Sequence, residues 1–142
     1  MSIGENIERI QTLKSQAAER SGRSGDDVLL IAVTKLHDVD EINEAIDCGI
    51  TDIGENKVQE ILNKYERVKP VRWHLIGHLQ TNKVKYIIDK VQMIHSVDSL
   101  HLAQEIDKRA AHPRMKAARR TVRRRKSLRL FLWADFAKSV RT

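Results

Sequence analysis

Two kinds of hydrophobic pattern alternate along the first 109 residues. In one, apolar residues recur at every third or fourth position, which is typical of an amphipathic helix. In the other, a short and nearly continuous apolar run is rich in β-branched side chains, which is typical of a strand buried on both faces. The order predicted is one helix followed by four strand–helix units, with a strand about every 20 residues.

The predicted elements have recognisable boundaries. Ser2 with Glu5, and Asp38 with Glu41, have the spacing of capping boxes and predict the starts of the first two helices. The strands are expected at residues 28–34, 50–53, 71–77 and 91–97. The helices are expected at residues 2–21, 38–48, 56–69, 79–88 and 98–110.

Strands that recur in this way are parallel and are joined by right-handed helical crossovers. The predicted fold class is therefore α/β. Two architectures fit the order of elements: an open doubly wound sheet, or part of a (β/α)8 barrel. A complete barrel needs at least about 200 residues, so a chain of 142 residues cannot contain one.

The net charge of +7 is distributed unevenly along the chain. Residues 110–142 carry eleven Lys and Arg residues and one acid, a net charge of +10, whereas the first 109 residues carry 15 basic and 18 acidic residues. The chain is therefore predicted to have two parts, an α/β domain at residues 1–109 and a basic tail at residues 110–142.

The tail does not continue the strand–helix pattern. It offers no fifth strand, although residues 128–133 (LRLFLW) form an isolated apolar patch. One interpretation is a solvated, partly disordered basic arm. Another is a module that binds nucleic acid or an acidic surface through residues 114–129, with binding that weakens steeply with salt. We favour a third, in which the tail comes from a shifted reading frame or an unrelated fused end.

The remaining composition predicts a compartment. Cys48 is the single cysteine, so no intrachain disulfide is possible. No apolar run approaches the roughly 20 residues of a membrane span, and the first residues lack the basic and apolar regions of a signal peptide. We expect a protein of the reducing cytoplasm with no membrane partner.

The first apolar run, LLIAVTK, ends on the ammonium group of Lys35. In parallel α/β folds, ligands bind beyond the carboxyl ends of the strands, and Lys35 lies at such an end. Partial burial disfavours the charged form of a lysine, and the neutral amine can attack a carbonyl group to form an imine. The commoner alternative is a lysine whose stem covers the strand end while its head reaches water.

Polar residues also follow the other three predicted strands. They are Glu55 and Asn56 after the second, His78 after the third, and Ser96 and Asp98 at the end of the fourth. If the strands are parallel, these residues converge on one rim with Lys35. Each could instead serve the following helix, Glu55 as a first-turn acid and Asp98 or Ser99 as the cap of the fifth helix.

His74 and His78 have the spacing of a metal-binding pair only if they lie on a helix. On a strand, residues four apart are about 13 Å from each other, too far to share an ion. No metal site is predicted. The sequence also contains neither G-x-G-x-x-G nor G-x-x-x-x-G-K-[ST], so no local phosphate loop is expected.

Four stretches of the sequence resemble one family. They are LLIAVTK at 29–35, DIGENKVQE at 52–60, RWHLIGHLQTNK at 72–83 and IHSVDS at 94–99. They are similar to the pyridoxal phosphate homeostasis proteins, which are related in fold to the N-terminal barrel of alanine racemase. The resemblance covers about residues 1–109, and WHLIGHLQTNK is its most specific element.

The resemblance implies a truncated (β/α)8 TIM-barrel-like domain with about four βα units. It also implies that pyridoxal 5′-phosphate forms a Schiff base with Lys35 and that Asn56 and His78 line the cofactor pocket. Lys83 matches the family's N-K pair, whose role is left open. Proteins of this family bind and buffer the cofactor, either handing it on to apo-enzymes or keeping its reactive aldehyde from side reactions, so the resemblance implies a non-catalytic role in cofactor homeostasis.

The sequence also departs from the family. The family's chains have roughly barrel length, and loops late in the barrel hold the cofactor phosphate, so we expect binding to be impaired here. A half-barrel leaves two open sheet edges, which the tail or a second copy could cover, and the oligomeric state stays open. A racemase-like enzyme would need a second catalytic group, and the chain offers none.

Overall fold

The computed structural model describes residues 1–110 and the backbone of residues 130–135. Its helices are α1 Ile3–Arg20, α2 Val39–Asp47, α3 Val58–Lys64, α4 Val84–Ile87 and α5 Leu100–Ala110. Its strands are β1 Val28–Val33, β2 Asp52–Glu55, β3 Arg72–Leu75, β4 Val91–Ile94 and β5 Leu130–Asp135. The strands form one parallel sheet in the order β4-β3-β2-β1-β5. The predicted α/β class with parallel strands and helical crossovers is confirmed.

The predicted helix starts are confirmed by the geometry of their caps. Ser2 caps α1 and Asp38 caps α2, each through a complete capping box with the acid three residues later. For α5 the sequence left two candidates, and the structure selects Ser99, whose hydroxyl accepts a hydrogen bond from the Leu102 N–H at 3.1 Å. Such caps satisfy backbone donors that have no partner within the helix.

The second strand lies two residues further along the chain than predicted. The sequence places it at residues 50–53, whereas β2 spans Asp52–Glu55. Ile50 is buried, but its N–H donates to Ala45 O at 3.1 Å, directly after Gly49 at φ 98°. The Ile50 N–H therefore caps the end of α2 and does not pair with a neighbouring strand. The Ile50 side chain packs in the hydrophobic core.

The prediction that the tail contains no strand is wrong. β5 pairs in parallel with β1 from Val28 opposite Leu130 to Val33 opposite Asp135. Its sequence, LFLWAD, is apolar enough for a strand, and β1 without it would expose unpaired backbone groups along that edge. In a closed (β/α)8 barrel the last strand occupies the same position beside the first. The β4 edge pairs with no further strand among the described residues.

The other predictions for the tail fall outside the described residues. These are the partly disordered arm, the Arg-rich binding segment at residues 114–129 and the shifted reading frame. They stay predictions. No helix of the described residues is long and apolar enough to cross a membrane.

The two faces of the sheet have different roles. One face packs against the helices and forms the hydrophobic core, where Ile53, Trp73 and Leu75 meet helix residues such as Ile61. Gly54 lies on the other face, because a Cβ there would contact the side chains of Ile31 and Ile76. Strand alternation places Asp52 and His74 on that second face too.

Candidate functional site at the carboxyl ends of the strands

Lys35 lies in the turn that directly follows β1. Thr34 before it is buried, Lys35 itself is half-buried, and Leu36 after it is 92% exposed. Leu36 has φ 67°, a left-handed conformation that a leucine rarely adopts. Backbone strain of this kind is concentrated at functional sites and persists only where the surroundings hold it.

Two side chains of α3 hold the backbone on either side of Lys35. The Lys64 ammonium group donates to the Thr34 carbonyl oxygen at 3.0 Å. A carboxylate oxygen of Glu60 accepts from the Leu36 N–H at 3.4 Å. Lys64 and Glu60 also pair with each other at 3.3 Å. The turn that carries Lys35 is thus fixed from the helix side of the sheet.

Glu55 forms the base of this arrangement. It is fully buried, and its Oε1 accepts from the Thr34 hydroxyl at 2.8 Å and from Lys64 at 2.7 Å. Its Oε2 meets no donor in the described part of the chain. Burial raises the pKa of Glu55, although Lys64 and Thr34 act against the shift. The interpretation of Glu55 as a first-turn acid is wrong, because it ends β2 and faces α3.

A cleft of about 520 Å³ lies between α3 and the segment that follows β3. Its lining residues are Asn56, Lys57, Val58, Gln59, Leu62, His78, Gln80, Lys83 and Tyr86. The structure therefore brings together Asn56, His78 and Lys83 in one cleft. Lys35 is not among the residues that line it. The ammonium groups and side-chain amides of the lining suit an anionic ligand.

The loops after β2, β3 and β4 are tied to one another. A Cβ at Gly77 would lie 2.8 Å from the Asn56 Cα, so the two loops meet backbone to backbone. His78 lies 3.3 Å from a carboxylate oxygen of Asp98, and Ser96 donates to the Ile76 carbonyl oxygen at 3.1 Å. Four of the polar residues expected on one rim, Asn56, His78, Ser96 and Asp98, therefore lie in neighbouring loops, whereas Glu55 faces α3 and Lys35 lies in the turn after β1.

A buried polar network lies on the opposite face of the sheet from α3. Asp52 accepts from Arg72 at 2.8 and 2.5 Å and from the His74 Nε2 at 2.8 Å. His74 Nδ1 is 3.0 Å from the His95 Nε2. Sequence reasoning missed this network. The signal available was the alternation of Arg72 and His74 within a strand, since residues two apart share a face.

The hydrogen bonds explain the charge state of the Asp52 carboxyl group. Although burial opposes it, hydrogen bonds from His74, Arg72 and Thr51 hold the pKa of Asp52 well below its ordinary range. Because the Asp52 carboxylate only accepts, His74 Nε2 carries the hydrogen of their contact. Burial, and secondarily the neighbouring His74, lower the pKa of His95 to about 4.

The lowered pKa of His95 predicts that the folded protein loses stability in weak acid. Between pH 6.5 and 4 the unfolded chain binds a proton at His95 that the folded chain does not, so folding stability falls as the pH falls. The expected loss from pH 7 to pH 4.5 is on the order of 1–2 kcal/mol, reduced for partial exposure. Urea unfolding of the parent and of His95→Gln at both pH values measures this contribution.

A matched pair of variants isolates the contribution of His95. His95→Gln should be less sensitive to this pH change than the parent chain, whereas His101→Gln, at an exposed histidine of α5, should behave like the parent. Comparing the variants cancels the opposite contribution of Glu55, whose raised pKa favours the fold in acid. Equal pH sensitivity of His95→Gln and the parent would count against the assignment.

Comparison with known proteins identifies relatives of this chain. No protein-family model matches it. The pyridoxal phosphate homeostasis protein of Aquifex aeolicus is 45% identical over 112 residues, which are 78% of this chain and 49% of the relative. That of Pseudomonas aeruginosa is 38% identical over 107 residues, 74% of this chain and 46% of the relative.

A solved structure shows the same relationship. PipY of Synechococcus elongatus, determined with PLP bound, matches with a TM-score of 0.62 and 37% identity over 77% of this chain and 48% of that one. The parallel sheet with helical crossovers and a polar carboxyl rim is thus a barrel-type unit. Over the matched residues the chain is a homologue of the pyridoxal phosphate homeostasis proteins, and the resemblance predicted from the sequence is confirmed. The chain spans about half the length of the curated relatives it matches.

Proposed function

We propose that this chain binds pyridoxal 5′-phosphate as a Schiff base on Lys35 and acts in cytoplasmic cofactor homeostasis without catalysing a reaction of its own. The observation that carries the proposal is the position of Lys35, half-buried and held at the carboxyl end of β1. The names of the homologues and the PLP-bound structure of PipY support the choice of cofactor.

The described residues fit such a ligand. When bound, the cofactor supplies an aldehyde carbon with which a lysine amine can form a covalent bond. Lys35 would provide that amine, and Asn56 and His78 would contact the ligand from the neighbouring loops. Lys57 and Lys83 line the same cleft as Asn56 and His78, and their two ammonium groups would attract a phosphate group.

The surroundings of Lys35 support a non-catalytic role for the bound cofactor. Its neighbours on the α3 side, Glu55, Glu60 and Lys64, are engaged with one another and with the backbone. We propose storage and release to apo-enzymes, since we assign no group of this chain to proton transfer on a substrate. The Aquifex relative matches this chain over only 49% of its own length, so we expect the affinity of this chain to be lower than that of the relative.

Replacing Lys35 tests this function. In an absorbance titration with pyridoxal phosphate, the parent chain should show saturable binding, and Lys35→Ala should lose most of it. Lys108→Ala, at an exposed lysine of α5, is the matched control and should bind like the parent. Binding that is equally strong in Lys35→Ala, or that declines equally in both variants, would refute the proposed site.

A further inference from the structure

We infer that Glu60 and Lys64 of α3 are positioning residues that hold the backbone around Lys35 and so aim its amine at the ligand. The inference rests on the proposed function and deepens it. Neither residue is placed against the ligand: their contacts are with backbone atoms on the two sides of Lys35 and with Glu55.

The two contacts lie on the residues directly before and after Lys35. Lys64 binds the carbonyl oxygen of Thr34, the residue before Lys35, and Glu60 binds the N–H of Leu36, the residue after it. The second contact falls on the residue whose φ is 67°. A strained turn relaxes unless its neighbours hold it. The His37 N–H donates to the Thr34 carbonyl oxygen at 3.2 Å and closes the turn, and the Glu60 contact adds to this bond in holding the Leu36 conformation.

The contacts of Lys64 give it a role different from that of Lys35. Its ammonium group has three donors, and three acceptors surround it: Glu55 at 2.7 Å, Thr34 O at 3.0 Å and Glu60 at 3.3 Å. Its side chain is only 12% exposed. All of its donors are therefore committed to the support of the turn, and the amine offered for bond formation is that of Lys35.

The same helix forms part of the cleft. Val58, Gln59 and Leu62 of α3 line the cleft, while Glu60 and Lys64 of α3 reach the Lys35 turn. A ligand that contacts the cleft therefore rests on the helix that orients the lysine. We expect the loss of either contact, that of Glu60 or that of Lys64, to alter the reactivity of the Lys35 amine. It should also alter the concentration of cofactor needed for attachment.

The first readout requires no cofactor. Competitive labelling with acetic anhydride, followed by peptide mass spectrometry, measures the reactivity of Lys35 relative to Lys108 in the same chain. Glu60→Met removes the acceptor for Leu36, and Lys64→Met removes the donor to Thr34. We expect either variant to change the relative reactivity of Lys35, by up to roughly an order of magnitude.

Matched variants separate positioning from general destabilisation. Glu60→Gln keeps an acceptor for the Leu36 N–H and should restore most of the parent reactivity, and Glu66→Gln, at an exposed acid just beyond α3, should have no effect. Glu60 is partly exposed, so Glu60→Met should fold even if Lys64→Met, which leaves buried Glu55 without its cation, does not. Parent-like reactivity of Lys35 in folded Glu60→Met would overturn the inference.

The second readout uses the cofactor and distinguishes the two proposals. Borohydride reduction after incubation with pyridoxal phosphate traps the adduct, and its pH dependence is compared between the parent, Glu60→Met and Glu60→Gln. A shifted pH midpoint in Glu60→Met supports the inference, and an unchanged midpoint contradicts it. If the parent is not trapped on Lys35 while anhydride reactivity still responds to Glu60→Met, the proposed function fails and the positioning role stands.

Discussion

Asp52→Ala is expected to destabilise the fold by roughly 3–5 kcal/mol, the range seen when one partner of a buried ion pair is removed. Asp52 is fully buried and accepts hydrogen bonds from Arg72, His74 and Thr51. Arg72 can turn toward water because its side chain is half exposed, but His74 is 1% exposed and would keep a buried N–H without an acceptor. Small domains have a total stability of about 5–15 kcal/mol, so such a loss is large.

Urea unfolding of Asp52→Ala and of a surface control measures this cost. Asp47→Ala breaks the ion pair with Lys69, in which both side chains are about half exposed, and should cost at most about 1 kcal/mol. A free energy of unfolding for Asp52→Ala within about 1 kcal/mol of the parent would show that the buried network is not a main source of stability.

Gly77→Ala is expected to have the second-largest effect, because it changes both stability and the ligand-binding loops. A Cβ at Gly77 would overlap the backbone of Asn56, with 2.8 Å to the Cα and a still shorter distance to the carbonyl oxygen. Backbone atoms cannot move aside as a flexible side chain can, so the two loops must separate. We expect a loss of about 1–3 kcal/mol, as for other overpacked sites, together with weaker cofactor binding.

Gly54→Ala is the matched control for this substitution. There the added Cβ would meet methyl groups of Ile31 and Ile76 at 3.2 Å, and side chains can shift by a few tenths of an ångström. We expect a smaller cost in urea unfolding and little change in cofactor binding. Equal effects of the two substitutions on binding would contradict the view that the contact between Gly77 and Asn56 shapes the cleft.

The elements that the sequence predicted correctly carry their signals locally. The capping boxes at Ser2 and Asp38 need only four consecutive residues, and the apolar run of β1 is buried as its composition suggests. The start of β2 was misplaced because Ile50 has the character of a strand residue but closes α2. β5 was missed because no repeat precedes it, and its pairing with β1 joins residues about a hundred positions apart.

The site was predictable only in part, for the same physical reason. Lys35, Asn56 and His78 each follow a strand, so sequence reasoning could place them near one rim. Glu60 and Lys64 have the i, i+4 spacing of an ordinary helix ion pair, and nothing local shows that they reach the Lys35 turn. Asp52, His74 and His95 come together only through the register of three strands, in which Asp52 lies opposite Arg72 and His74 opposite Met93.

Mapping the borohydride-reduced adduct on the full chain shows directly whether Lys35 carries the cofactor. The chain is incubated with about one equivalent of pyridoxal phosphate, reduced, digested and examined by peptide mass spectrometry, with Lys35→Ala and Lys108→Ala in parallel. We expect the adduct to be concentrated on the peptide containing Lys35, to persist in Lys108→Ala and to be lost in Lys35→Ala. An adduct spread over many surface lysines, with the same total in Lys35→Ala, would contradict it.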